Sequence, residues 1–277
     1  MSNAISNNMR QLSERCRQVK VADSTGTEIF NLVDLLVANP RLRRSIFDGT
    51  VPVEKRNALL KKILGSKLGP AAYEIVNLVT AVEWGDPRSG LKALERQGVA
   101  AQLRYAADQA DDADTYNKVS SQLAELSALV SNTPELITAI TDQSFDLAAR
   151  RDLVAEVIPE GAADSVVILA KRAVNSPVFG RVTFAENIHD YIESSAQILG
   201  RKLAIATAAR PLTDQQRRSL SASLSKIYGQ DIDLLVLIDE SVIGGVKVEV
   251  GEEVIDGTVR AKLAEAERAV KETAEVG

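Results

Sequence analysis

The chain has 277 residues, enough for two or three compact units. With 45% hydrophobic and 26% charged residues it can bury a sizeable core, so disorder is not the default; with only 4% aromatics that core must be built from Leu, Ile, Val and Ala, which suits closely packed helices. A net charge of -5 and a pI near 5.2 disfavour binding to phosphate backbones, and the run Arg41, Arg43, Arg44 reads as a solvated helix end.

Met9, Leu12, Cys16 and Val19 fall at helical spacing and predict a first helix with Cys16 on its apolar face, a small buried hydrophobe. One cysteine allows no intrachain disulfide and no cysteine-based metal site. The N-terminus lacks an apolar signal core, and no stretch of about 18 apolar residues occurs, so the chain is expected to be soluble and to stay inside the cell.

The next segment occurs twice. Residues 32–64 and 126–158 align at a constant offset of 94, Pro40 on Pro134. At that offset Leu42 meets Leu136, Ile46 meets Ile140, Asp48 meets Asp142, Arg56 meets Arg150 and Leu59 meets Leu153. Ile29, Leu32, Val33 and Leu36 line one helix face, as do Val119, Leu123, Leu126 and Val130. Each proline ends its helix, because the residue before proline avoids the helical region. Short helices are expected over about 41–47 and 135–141, and a third helix from Val53 in one copy and Leu147 in the other. Ile75, Val79 and Val82 continue the first copy, and Val166, Leu169, Ala170 and Ala173 the second. Leu91, Leu94, Val99 and Leu103 form a further stripe in which Gly98 is a candidate kink. Phe184, Ile188, Tyr191 and Ile192 mark a long helix. Two copies of this length indicate domain duplication rather than a solenoid.

After Gly200 the period changes. Leu203, Ile205 and Thr207 alternate with Lys202, Ala204 and Ala206, which predicts a strand. Thr213 and Gln216 fit a capping box, Leu220, Leu224 and Ile227 give a helix face, and Gly229 stands where that helix would end. Residues 232–238 (IDLLVLI) read as a central strand buried on both faces, and Val246, Val248 and Val250 as a half-exposed strand. Gly244-Gly245 permits a bulge or a close backbone approach, Gly251-Glu252-Glu253 reads as a turn, and Asp256 caps a last helix with Val259, Leu263, Ala266 and Val270 on its apolar face. The expected fold is α+β, mostly α: a bundle over 5–100, a second over 101–198 and a small β-α-β-β-α unit over 200–277.

Catalytic chemistry is sparse. His189 beside Asp190 lies on a predicted helix and reads as a surface or boundary histidine. There is no GxxxxGK[ST] loop, and Gly244, Gly245 and Gly251 bracket a strand instead of opening a helix. Asp111-Asp112 and Glu252-Glu253 fall in turns and read as solvated pairs. No catalytic residue, cofactor or metal is expected.

The stretch 237–265 (LIDESVIGGVKVEVGEEVIDGTVRAKLAE) closely resembles the C-terminal signature of the ATP synthase delta subunit family, whose mitochondrial relative is the oligomycin-sensitivity protein. The matching residues are Asp239, Ile243, Gly244, Gly245, Val248, Gly251, Val254, Ile255, Asp256, Gly257, Thr258, Arg260 and Leu263; the family commonly has Ser where Thr258 stands. ARPLTDQQRRSL at 209–220 looks like the family's strand-to-helix joint, Arg104-Tyr105-Ala106 like its first-helix motif, and NTPEL at 132–136 is also similar, so the resemblance covers about 104–277. The first hundred residues depart from it and resemble the enlarged delta subunits of actinobacteria, without the membrane-anchored segment that some of them carry in front.

The resemblance implies a non-catalytic stator subunit at the cytoplasmic face of the plasma membrane, one copy per complex, touching the membrane only through the complex. Its implied partners are the N-terminal helices of the alpha subunits and the C-terminal end of a separate b subunit, with no nucleic acid. The family's helix-in-groove binding implies a groove between the helix carrying Tyr105, Ala106 and Gln109 and the helix carrying Val166, Leu169 and Ala170. Two other readings stay open: a free-standing helical scaffold, which a pull-down lacking alpha and b subunits would favour, and a small enzyme using the α/β unit, which nucleotide hydrolysis by the purified chain would reveal.

Overall fold

The computed structural model describes residues 11–65, 67–110, 115–178, 183–198, 202–239, 242–250 and 253–259. The fold is α+β and mostly α. It divides into two compact units, Met1–Leu199 and Gly200–Gly277.

The first unit carries both copies of the repeat. Helix α1 covers 11–18. The first copy continues with α2 (Thr25–Ala38), α3 (Pro40–Phe47), α4 (Val53–Leu64) and α5 (Pro70–Ala81). After α6 (Pro87–Ala110) the second copy follows as α7 (Thr115–Ser131), α8 (Pro134–Thr141), α9 (Leu147–Glu156), α10 (Asp164–Ala173) and α11 (Phe184–Ile198). Pro40 and Pro134 each sit at the start of a helix, where the missing N–H costs nothing. The two aspartates that follow these short helices make the same turn: Asp48 accepts from the Thr50 amide at 2.9 Å and Asp142 from the Ser144 amide at 2.8 Å. Bonds from the Thr50 hydroxyl and amide hold the Asp48 carboxyl below its ordinary pKa, and bonds from the Ser144 amide and hydroxyl do the same for Asp142. The buried core of the first copy contains the stripe residues Ile29, Leu32, Val33 and Leu36, with Leu12, Cys16, Ile75 and Val79.

Gly98 makes no break. Helix α6 runs unbroken through it and through the expected bundle boundary at 100/101. The glycine serves another purpose: α2 crosses α6 there. A Cβ on Gly98 would lie 2.7 Å from the Phe30 ring, and one on Gly26 would lie 2.8 Å from the Gly98 carbonyl. Two bare backbones meeting face to face let the helices approach closely, so α6 is shared by both copies. Arg104 of α6 closes the end of α1 by donating to the carbonyls of Cys16, Arg17 and Val19 at 2.9, 2.8 and 2.5 Å.

The second unit is β1 (Lys202–Ala208), α12 (Asp214–Tyr228), β2 (Ile232–Ile238), β3 (Val246–Val250) and β4 (Glu253–Asp256), with sheet order β2-β1-β3-β4. Strand β1 is parallel to β2 and antiparallel to β3, and β4 is antiparallel to β3. Three expectations change. IDLLVLI is an edge strand rather than a central one, yet it is buried on both faces as expected: Ile232 and Val236 lie in the core beneath α12 beside Leu224, and Asp233 and Leu235 are buried on the opposite face. The alanines of β1 are the inward face: Ala204 and Ala206 join that core, because a central strand under a helix needs small side chains. Glu253 belongs to a short strand rather than a turn. All four residues of β4 are exposed, so no alternation marked it.

The capping box forms, with the Thr213 hydroxyl and the Gln216 side chain each holding the other's amide, and Gly229 ends α12 at φ 67°. Gly244 and Gly245 adopt φ 64° and 81°. A Cβ on Gly245 would lie 2.4 Å from the Gly257 carbonyl oxygen. That close approach is locked by the Gly257 amide on the Val246 carbonyl at 3.0 Å and by Asp256, whose carboxylate takes the Thr258 amide at 3.0 Å. Gly251 and the expected last helix beyond Val259 lie outside the described residues.

Candidate partner-docking site

Of the expected groove residues, the structure places Tyr105 and Ala106 on α6, half-buried, with Tyr105 packed against the core of the first copy. Val166, Leu169 and Ala170 lie on α10 and are closed to solvent. The two helices pack directly, and the Ser165 hydroxyl donates to the Gln102 carbonyl at 3.1 Å. So the α10 residues are core, and of the expected set with described side chains only Tyr105 and Ala106 reach the surface. The side chain of Gln109 lies outside the described residues.

At the matching positions of the first copy a cavity stands open. It measures about 350 Å³ and lies between α1, at Gln11, Leu12 and Arg15, and the end of α5, at Leu78 and Val82. Those α1 residues are the counterparts of Tyr105, Ala106 and Gln109 at the 94-residue offset. A second, smaller groove of about 110 Å³ is walled by α7 and the α9–α10 connection.

What closes α10 over α6 is a buried ionic cluster that the periodicity did not announce. Arg172 of α10 donates from Nε and Nη2 to the two carboxylate oxygens of Glu95 at 2.8 and 2.7 Å. Its Nη1 reaches Asp34 of α2 at 2.7 Å, and its guanidinium lies 4.9 Å from the Phe30 ring centroid. Tyr191 of α11 and Ser176 donate to the same Glu95 oxygen at 3.0 and 3.3 Å. Glu95 is 0% exposed, so only this full set of donors makes its burial tolerable. Burial works against the Arg172 charge, but the Glu95 hydrogen bonds and the charges of Glu95 and Asp34 outweigh it and hold the guanidinium above its ordinary pKa. Burial and the Glu95 charge push the Tyr191 phenol well up, so it acts as a donor. The cluster ties α2 of the first copy to α10 and α11 of the second through α6. A charged residue in the otherwise apolar α10 stripe was the available signal.

Burial pushes the Cys16 thiol up to about 12, so it is inert packing. His189 is exposed and lies 3.8 Å from Glu193. Among the described residues no group of His, Cys, Asp and Glu could hold a metal ion, and no helix is long and apolar enough to cross a membrane. Glu253 accepts from the Tyr228 hydroxyl at 2.6 Å, which raises the phenol's pKa, and Lys202 stacks on that ring at 4.1 Å.

Fold and site together define a mostly helical α+β protein whose distinctive chemistry is packing and ion pairing between helices. A family model described as the ATP synthase delta (OSCP) subunit matches residues 103–270. Similar proteins include the ATP synthase subunit delta of Cutibacterium acnes, 34% identical over 260 residues that make up 92% of this chain and 96% of that protein. Those of Corynebacterium urealyticum (32% over 252 residues, 91% and 90%) and Salinispora arenicola (34% over 247 residues, 89% and 88%) are also similar. The chain belongs to the ATP synthase delta (OSCP) subunit family. The family model begins inside α6, whereas the alignments to these actinobacterial relatives take in the first copy as well.

Proposed function

We propose that the chain is a non-catalytic stator subunit of a bacterial proton-translocating ATP synthase, joining the alpha/beta catalytic head to the end of the b stalk and resisting rotational torque. It sits at the cytoplasmic face of the plasma membrane, one copy per complex, and meets the membrane only through its partners. The observation that carries this reading is the Glu95–Arg172–Asp34 cluster across the shared helix α6. A part that must transmit torque without yielding needs its helical bodies fastened together, and a buried, fully bonded ion cluster resists sliding in a way that apolar packing does not.

The N-terminal helices of the alpha subunits are the proposed guests of the α6–α10 face, with Tyr105, Ala106 and Gln109 in contact and Val166, Leu169 and Ala170 supporting them from beneath. The open cavity between α1 and α5 offers the first copy, over 5–100, the same kind of seat. The 200–277 unit takes the b-subunit end.

Reconstitution of the synthase with and without the chain tests the stator role. Without it, ATP hydrolysis should continue while proton pumping is lost; a complex that stays coupled refutes the reading. For the seat, Ala106→Glu should weaken binding of an alpha N-terminal peptide, and unchanged affinity rejects that placement.

A further inference from the structure

The two copies of the repeat differ sharply at one groove. In the first copy, Leu68 packs against the core just ahead of α5, and the Glu28 carboxylate accepts the Gly69 amide at 2.6 Å, tying the connection to α2. At the 94-residue offset the second copy has Ala162 where Leu68 stands and Gln122 where Glu28 stands. The leucine-to-alanine difference coincides with a groove of about 110 Å³, floored by Leu126 and Val166 and walled by Leu129, Val157 and Ile158. A cavity of ~150 Å³ holds a benzene ring, so this one takes a branched aliphatic side chain. Leu129 beside it is 47% exposed and extends the apolar surface.

The charges diverge at the same place. Glu125 lines the groove, and Glu156, Glu160 and Asp164 stand exposed along the connection that walls it. Their first-copy counterparts are Asn31, Lys62, Ser66 and Pro70. Lys118, one turn before Gln122 on α7, is the basic residue on this side of that helix, and four acids outnumber it. An apolar slot under an acidic rim selects a guest of opposite charge.

We infer that the groove between α7 and the α9–α10 connection is a docking site for a basic amphipathic helix of a partner protein, which inserts one leucine-sized side chain and sets Lys or Arg against Glu125, Glu156, Glu160 and Asp164. It shares only the buried Val166 with the α6–α10 seat and does not depend on the stator reading.

The test uses the full chain and two synthetic amphipathic peptides of identical apolar pattern, one leucine–lysine and one leucine–glutamate, followed by fluorescence anisotropy. The lysine peptide should bind at least about tenfold more tightly than the glutamate peptide, and more weakly as salt rises. Ala162→Leu fills the slot as Leu68 does in the first copy and should cut lysine-peptide affinity about tenfold with the melting temperature held or raised. The surface double variant Glu125→Lys, Glu160→Lys should lower it as well without touching the core. Equal binding of both peptides, unchanged affinity in both variants, or no binding of the lysine peptide overturns the inference.

Discussion

Arg96 and Asp190 pair at 2.5 Å, and they are 94 residues apart, the offset that relates the two copies of the repeat. Equivalent positions on α6 and α11 therefore face each other, one basic and one acidic, so the duplicated helices recognise one another as an asymmetric pair. The two side chains are 36% and 26% exposed, far more than Glu95 and Arg172, so Asp190→Asn should cost less than about 1 kcal/mol of unfolding free energy in urea titration.

The Glu95–Arg172 pair one step away behaves differently. Glu95→Gln keeps the shape but leaves the Arg172 guanidinium buried with a half-exposed Asp34 as its carboxylate partner. A loss of about 3–5 kcal/mol is expected, read by urea denaturation of the full chain. Replacing both residues by apolar ones of similar size should restore much of that loss.

Gly98→Ala sets two effects against each other. Alanine favours the helix by about 1 kcal/mol, but its Cβ meets Phe30 at 2.7 Å at the α2 crossing. Overpacking typically costs about 1–3 kcal/mol, so the melting temperature should fall. A rise would mean that α2 and α6 are less closely apposed than this.

Gly245→Ala should loosen the β3–β4 hairpin. The residue is at φ 81° and its Cβ would lie 2.4 Å from a backbone oxygen with no flexible end to move. Amide exchange in β3 and β4 should accelerate while that of α2 and α6 stays unchanged.

Cys16 gives a pH signature. Its folded pKa is raised from 9.0 to about 12, so the folded state keeps a proton that the unfolded state releases above pH 9. Stability should therefore be unaffected by this group below pH 9 and fall as pH climbs from 9 towards 12, a trend that Cys16→Ser removes. At pH 8 the thiol should resist a disulfide reagent until the protein is unfolded.

The sequence by itself settled what depends on near neighbours along the chain. Helix faces, the proline starts of α3 and α8, the Thr213–Gln216 box and the Gly229 stop follow from spacing and backbone chemistry within a few residues. The duplication was legible because both copies meet the same local demands. Strand order, the continuity of α6 through Gly98 and the inward face of β1 were decided only in three dimensions. The periodicity of α6 could not show which helix crosses it, and β4 is too exposed to leave a pattern. Glu95, Arg172 and Asp34 lie far apart in the chain, so nothing local announces that they pair; only tertiary packing brings them within hydrogen-bond reach and makes tolerable a burial that neither Glu95 nor Arg172 could sustain alone.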